Sequence, residues 1–165
     1  QLMRRHPETK FILAQASTIQ DNLLQLILRE SKVPVTVVKE QASEVLAVAD
    51  LALVASGTAT LQAAVVGTPL VLCYRTSAWE FWIASFFIRV KWIGLVNLVA
   101  GRPVVPELVQ RDATGQRLFE EASRILDDRS VYDEMKHSLA TVRASLGEPG
   151  ASIRAAEMVL AACRG

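Results

Sequence analysis

A chain of 165 residues, 51% of them apolar, carries a formal net charge of +1. That length suits one domain with a full hydrophobic core. The near-neutral balance, with basic residues spread out apart from small clusters such as Arg4-Arg5, excludes nucleic-acid binding through a global positive field. Cys73 and Cys163 are too few for a disulfide framework and read as reduced core thiols of a cytosolic protein. His6 and His137 stand apart from any ligand pattern, so neither a metal nor a cofactor is expected.

Gln1 to Pro7 reads as the end of a helix followed by a turn, with no signal peptide, as expected for a fragment of a longer protein. Phe11-Ile12-Leu13-Ala14 reads as a strand, and Ser17-Thr18 opens a helix through about Glu30. In that helix Ile19, Leu23, Leu26 and Ile27 share one face. Val33 to Val38 is a β-branched run and therefore a second strand. Ala42 to Ala49 is a short helix with Val45, Leu46 and Val48 as its apolar residues.

Leu51 to Ala55 then reads as a short buried strand. It is followed by Ser56-Gly57-Thr58-Ala59-Thr60 and a helix from Thr58 to Val66, closed by Gly67 and followed by Pro69. A strand that passes through Ser-Gly-Thr into a helix leaves free backbone N–H groups at the helix start. The aligned peptide dipoles add partial positive charge there, which suits a phosphate or another anion. Gly57 permits close approach of a ligand, and the hydroxyls of Ser56, Thr58 and Thr60 can cap the helix or donate to an oxygen. The same pattern also serves as an ordinary N-cap between strand and helix.

Leu70 to Tyr74 is a fourth strand. The regular alternation argues for an α/β fold, a parallel sheet with flanking helices. In such sheets ligands sit outside the carboxyl ends of the strands, so the Ser56 loop and Arg75-Thr76-Ser77 belong to one rim.

Trp79 to Trp92, read as a helix, is apolar on two sides, with Trp79, Trp82 and Phe86 on one stripe and Trp92 roughly opposite. It is too short and too interrupted by Glu80, Arg89 and Lys91 to span a bilayer. It is either buried between two layers or meets lipid or a partner chain through its second face, where Arg89 and Lys91 suit an anionic membrane surface. Asn97 to Gln110 is dense in turn formers and reads as a loop carrying Asn97, Arg102, Glu107 and Gln110 among apolar residues. A helical tail follows, at about Gly115–Leu126, Val131–Leu146 and Ala151–Ala162, the first and last with an apolar face.

Taken together, Ser56-Gly57-Thr58-Ala59-Thr60, Gly67-Thr68-Pro69, Tyr74-Arg75, Asn97-Leu98-Val99-Ala100-Gly101-Arg102 and Val105-Pro106-Glu107-Leu108-Val109-Gln110 resemble the bacterial lipid-A-disaccharide synthases. The resemblance runs from Phe11 to about Cys163. It implies the carboxyl-terminal half of a GT-B glycosyltransferase, a single Rossmann-like nucleotide-sugar-binding domain with the acceptor domain and first strand missing. The family transfers 2,3-diacylglucosamine from its UDP conjugate, UDP-2,3-diacylglucosamine, onto 2,3-diacylglucosamine 1-phosphate (lipid X).

By this resemblance Ser56, Gly57, Thr58, Ala59 and Thr60 hold the UDP diphosphate. Asn97, Glu107 and Gln110 contact the donor or keep its loop shaped, Tyr74 and Arg75 lie on the rim, and Arg75 or Arg102 steadies the leaving UDP. Gln62 meets the ribose, at a position where the family carries Glu; Gln keeps an acceptor but lacks the charge of a carboxylate. Val96 stands where the family tends to carry Pro. The catalytic base is expected in the missing domain, so this chain alone should not turn over. The family is cytoplasmic and peripheral to the inner membrane, which favours a membrane or partner contact through Trp79, Trp82, Phe86, Arg89 and Trp92. A homodimer through the carboxyl-terminal helices is a further implication. Two other readings keep parts of this picture: another GT-B enzyme of UDP-sugars, similar to the UDP-N-acetylglucosamine 2-epimerases, or a non-catalytic module that binds membrane or partner chains.

Overall fold

The computed structural model describes residues 1–31, 33–55, 57–77, 91–148 and 150–164. Ser56 lies outside the described residues, as do Trp79, Trp82, Phe86 and Arg89 of the aromatic stretch. In chain order the elements are α1 (Leu2–Arg5), β1 (Phe11–Gln15), α2 (Asp21–Glu30), β2 (Val35–Lys39), α3 (Ala42–Val48), β3 (Ala52–Val54), α4 (Ala59–Val66) and β4 (Leu70–Tyr74). Then come α5 (Leu95–Ala100), β5 (Glu107–Val109), a 3-10 turn (Gln110–Asp112), α6 (Gly115–Asp127), α7 (Arg129–Ser145) and α8 (Ala151–Arg164). The fold is α/β, with parallel strands flanked by helices, as the alternation predicts.

The described strands form two sheets rather than one. β1 and β2 pair in parallel from Phe11–Val35 to Gln15–Lys39. β4 lies between β3 and β5 in a second parallel sheet, with Val54 beside Leu72 and Tyr74 beside Val109. β4 is the centre of the core. A parallel strand covered on both faces reads as a continuous apolar run, and Leu70, Val71 and Leu72 are fully buried. Against this sheet and its helices pack Ala63 and Ala64 of α4, Val96 of α5, Ile125 of α6 and Leu139 of α7, all buried in one cluster. Burial of each larger side chain contributes about 1.5–3 kcal/mol. The small side chains of Ala63 and Ala64 leave room for α4 to lie against α7.

Helix ends follow local chemistry. Gly67 terminates α4 at φ +86°, a left-handed residue with no Cβ to strain, and its N–H and that of Thr68 both donate to Ala63 O, at 2.8 and 2.9 Å. Thr114 caps α6 by accepting from Arg117 N, and Asp128 caps α7 by accepting from Ser130 N and Val131 N.

Four expectations need correction. The second helix begins at Asp21, not at Ser17-Thr18, because the Gln15 amide donates to both Ile19 O and Asp21 Oδ1 at 2.8 Å and folds residues 16–19 into a turn. Within α2 it is Leu24 that is buried, with Leu28 half-buried, while Ile19, Leu23, Leu26 and Ile27 are exposed. Asn97–Gln110 is not a loop throughout, since it supplies most of α5 and the whole of β5. Cys163 is exposed rather than a core thiol, whereas Cys73 is half-buried on β4. The apolar residues of α8, among them Ile153, Met158, Val159 and Leu160, are also exposed.

Candidate functional site

The register of β3, β4 and β5 brings three chain segments to one rim. Each strand ends at its carboxyl side on the same edge of the sheet, so Gly57-Thr58, Arg75-Thr76 and Gln110 leave from neighbouring strands.

The first segment enters α4. Gly57 adopts φ +82°, a left-handed conformation, and a Cβ built there would meet nothing within 4 Å. The loop therefore needs glycine for its backbone shape, while the space beside it is open. Thr58 occupies the N-cap position, yet no side chain among the described residues caps this helix. Thr60 N and Leu61 N turn back onto Gly57 O (3.3 Å) and Thr58 O (3.0 Å), and Gln62 N reaches Thr58 O at 3.0 Å. The amides of Gly57, Thr58 and Ala59 precede those bonds and meet no acceptor among the described residues, as the orphan donors of a helix start do. Such a terminus favours an anion through both its N–H groups and its dipole.

Thr60 has a different part from that of Thr58. Its side chain is fully buried, and its hydroxyl donates to Gly57 O at 2.9 Å. It braces the loop from beneath. Thr58 and Gln62 are exposed on the first turn, and Ala59 is half-buried between them.

On the neighbouring strand, Tyr74 is half-buried and Arg75 exposed. The next residue is tied down, since Thr76 N donates to Gln110 Oε1 at 3.0 Å. Gln110 makes that bond from a left-handed backbone, φ +52°.

Asn97, buried, and Glu107, half-buried, form a compact network. Asn97 is 0% exposed, and both ends of its amide are used. Oδ1 accepts from Val104 N at 2.8 Å and Val105 N at 3.0 Å. Nδ2 donates to Val105 O at 2.9 Å and to Glu107 Oε1 at 2.8 Å. The Glu107 carboxylate also accepts from Ile93 N (2.8 Å) and Gly94 N (3.0 Å), the two amides ahead of α5. A carboxylate at a helix start satisfies orphan donors and complements the dipole. The geometry makes these two residues the frame of the α5–β5 turn.

Arg102 is not brought to this rim. It precedes β5 on the amino side of the strands, and its guanidinium donates to Ser138 Oγ on α7 at 3.1 Å. Trp92 is half-buried, with Lys91 Nζ 4.8 Å from its ring centroid, a cation–π contact. A concavity of about 620 Å³ lies where α6 meets α7, lined by Arg5, Phe119, Ser123, Arg124 and Arg129 among others. Its arginines are already paired, Arg5 with Asp127, Arg124 with Glu121 and Arg129 with Asp133, at 2.6 to 2.9 Å. Among the described residues no group of three His, Cys, Asp or Glu side chains could hold a metal ion, and no helix is long and apolar enough to cross a membrane.

Three participants escaped the sequence reading, the backbone amides of Ile93, Gly94 and Thr76. None has a side-chain signature. The available signal was the presence of Glu107 and Gln110 in an otherwise apolar run, since buried polar side chains need partners.

A family model described as "Lipid-A-disaccharide synthetase" matches residues 1–161. Curated relatives with the name lipid-A-disaccharide synthase include that of Anaeromyxobacter dehalogenans strain 2CP-C, 39% identical over 99% of this chain and 43% of the relative. That of Geobacter sulfurreducens is 39% identical over 97% of the chain and 42% of the relative. That of Myxococcus xanthus is 39% identical over 96% and 42% respectively. The chain thus spans about two fifths of the length of these relatives.

Proposed function

We propose that this chain, which belongs to the lipid-A-disaccharide synthetase family, is the donor-binding portion of a glycosyltransferase of lipid A biosynthesis. In that reading the longer enzyme transfers a 2,3-diacylglucosaminyl group from its UDP conjugate to lipid X and releases UDP. One observation carries the assignment to this rim: the start of α4 behind left-handed Gly57, which no side chain among the described residues caps or covers, beside the ends of β4 and β5.

The diphosphate sits at the amides of Gly57, Thr58 and Ala59, with Ser56 and Thr58 as further donors. Gln62 faces the ribose from the first turn of α4. Arg75, exposed at the end of β4, neutralises charge that develops on the departing UDP. Thr60, Asn97 and Glu107 act by holding the loops, and Arg102 belongs to the scaffold between β5 and α7. The general base that takes the proton of the acceptor hydroxyl must lie within hydrogen-bond reach of it. We assign it to the portion of the enzyme that the relatives carry beyond the matched region. The acylated substrates place the enzyme at the cytoplasmic face of the inner membrane, with the stretch around Trp79, Trp82, Phe86, Arg89 and Trp92 as its contact. The exposed apolar residues of α8 suit a second copy of the chain.

Calorimetric titration of UDP into the 165-residue chain tests the assignment. Saturable binding is expected, weakened at least about tenfold by Gly57→Val, because a β-branched residue cannot hold φ +82° and the amides lose their aim. Absence of UDP binding to the folded parent chain overturns it.

A further inference from the structure

A second concavity, of about 310 Å³, opens on the amino side of β5, at the end of the sheet opposite the rim. Its walls are the turn that leads into β5, α6 and α7. Ligand pockets begin at about this size, which suits a small molecule. Part of the lining is apolar, with Val104, Val105 and Met135 all buried. Asn97 Oδ1 holds the amides of Val104 and Val105, so this part of the wall is fixed in advance. The rest of the lining has polar capacity left over. Arg102 is exposed, and its guanidinium donates to a neutral partner, Ser138 Oγ, at 3.1 Å. Ser138 is 5% exposed, and its hydroxyl accepts that bond while its own proton meets no acceptor among the described residues. A buried hydroxyl of this kind has room for one more partner. Glu134, one turn before Ser138 on α7, forms no ion pair among the described residues. Arg124 and Glu121 also border the space, but they satisfy each other at 2.9 Å.

We infer that this concavity is a binding site for a small apolar α-amino acid, whose carboxylate meets Arg102 and Ser138 and whose ammonium meets Glu134. The unspent groups decide the class. A guanidinium without a carboxylate and a carboxylate without a cation border one small space, together with a hydroxyl whose donor is unused. A plain carboxylic acid would answer Arg102 and set a like charge beside Glu134, and a phosphate dianion would do so more strongly. A plain amine would answer Glu134 and leave Arg102 and Ser138 as they are. An α-amino acid carries both charges on one carbon. Glu134 and Ser138 are four residues apart on α7, so they share a helix face with Cβ atoms about 5–6 Å apart, close enough for one molecule to meet both. The side chain of the amino acid then lies against Val104, Val105 and Met135, where loss of water from apolar surface favours it. None of the rim residues takes part, so the site stands independently of the UDP reading.

Titration of the 165-residue chain with L-leucine, followed through the NMR shifts of the Val104 and Val105 amides, tests this. Isocaproate and isoamylamine keep the branched chain of leucine and lack its ammonium or its carboxylate, and they are titrated beside it. Saturable shifts are expected with leucine. Each analogue should bind about tenfold or more weakly, since each loses a charge-assisted contact. Arg102→Gln should weaken leucine by about the same factor and leave isoamylamine as it was. Glu134→Gln should weaken leucine and not weaken isocaproate. Ser138→Ala should weaken leucine and isocaproate alike and leave isoamylamine as it was. Absence of a saturable shift with leucine in the folded parent overturns the site. Equal affinity of the parent for leucine and isocaproate overturns the assignment to an amino acid, and so does parent-like leucine affinity in Arg102→Gln or Glu134→Gln. The analogue titrations use the parent chain alone, so they judge the inference even where a variant fails to fold.

Discussion

Asn97 Nδ2 lies 2.8 Å from Glu107 Oε1, a contact that ties the middle of α5 to the first residue of β5. It closes a circuit in which every polar atom of the Asn97 amide has a backbone or carboxylate partner. Truncation is correspondingly expensive. Asn97→Ala strands Val104 N, Val105 N and Val105 O in the core, and should lower stability by about 3 kcal/mol or more in urea unfolding. Asn97→Asp is close to the same shape but sets a second carboxylate against Glu107. Its deficit should exceed that of a neutral isostere and shrink as the solution is acidified.

Gly94 stands where the frame is tightest. A Cβ there would lie 3.0 Å from Glu107 Oε1 and 3.1 Å from Leu72 Cδ1. Gly94→Ala should therefore destabilise by about 1–3 kcal/mol through displacement of the carboxylate, and amide exchange at Ile93 should accelerate with it. Parent-like protection of Ile93 in this variant would show that Glu107 can shift without releasing its partners.

Thr60→Val tests the brace beneath the Gly57 loop. Val has nearly the same volume but cannot donate to Gly57 O, so a loss of about 1–2 kcal/mol is expected. UDP affinity should fall as well, although the Thr60 side chain is fully buried. A stability loss with unchanged affinity would confine Thr60 to the fold.

Acid sensitivity follows from two carboxylates. Lys39 and then Gln15 hydrogen-bond Asp21 and hold its pKa below the ordinary 3.8. The Ser130 hydroxyl, followed by the amides of Val131 and Ser130, does the same for Asp128. Because the unfolded chain binds these protons more readily, stability rises with pH across this range. The contribution is complete above the ordinary value and fades as pH falls through the depressed folded values. The doubly substituted Asp21→Asn, Asp128→Asn chain should show a flatter fall in urea midpoint between about pH 5 and about pH 2. Parallel curves for parent and variant would refute this.

Glu40 offers a test of backbone strain. It adopts φ +55° at the end of β2 and is exposed. Glu40→Gly should stabilise by about 0.5–1 kcal/mol, since glycine enters that region without a Cβ clash.

Local sequence by itself determined the pieces whose signals act over a few residues. The strand–Ser-Gly-Thr–helix passage, the Gly67 terminus, the apolar run of β4 and the spans of α6 and α7 were all legible, because turn chemistry and hydrophobic period are short-range. The resemblance to the synthase family was legible too, in the order and spacing of short motifs. What the tertiary structure decided involved partners far apart in the chain. Asn97 looks like a loop residue until Glu107 and the amides of Val104 and Val105 satisfy it inside a helix. The start of α2 depends on Gln15, a residue of the preceding strand. Which leucines of α2 turn inward depends on what the helix packs against. Arg102 and Gln110 illustrate the same division. In sequence they are two polar residues of one segment, and the parallel pairing of β5 with β4 sends one to the amino side of the sheet and the other to the rim. Strand order and direction are long-range properties, and they alone settle which end of the sheet a side chain serves.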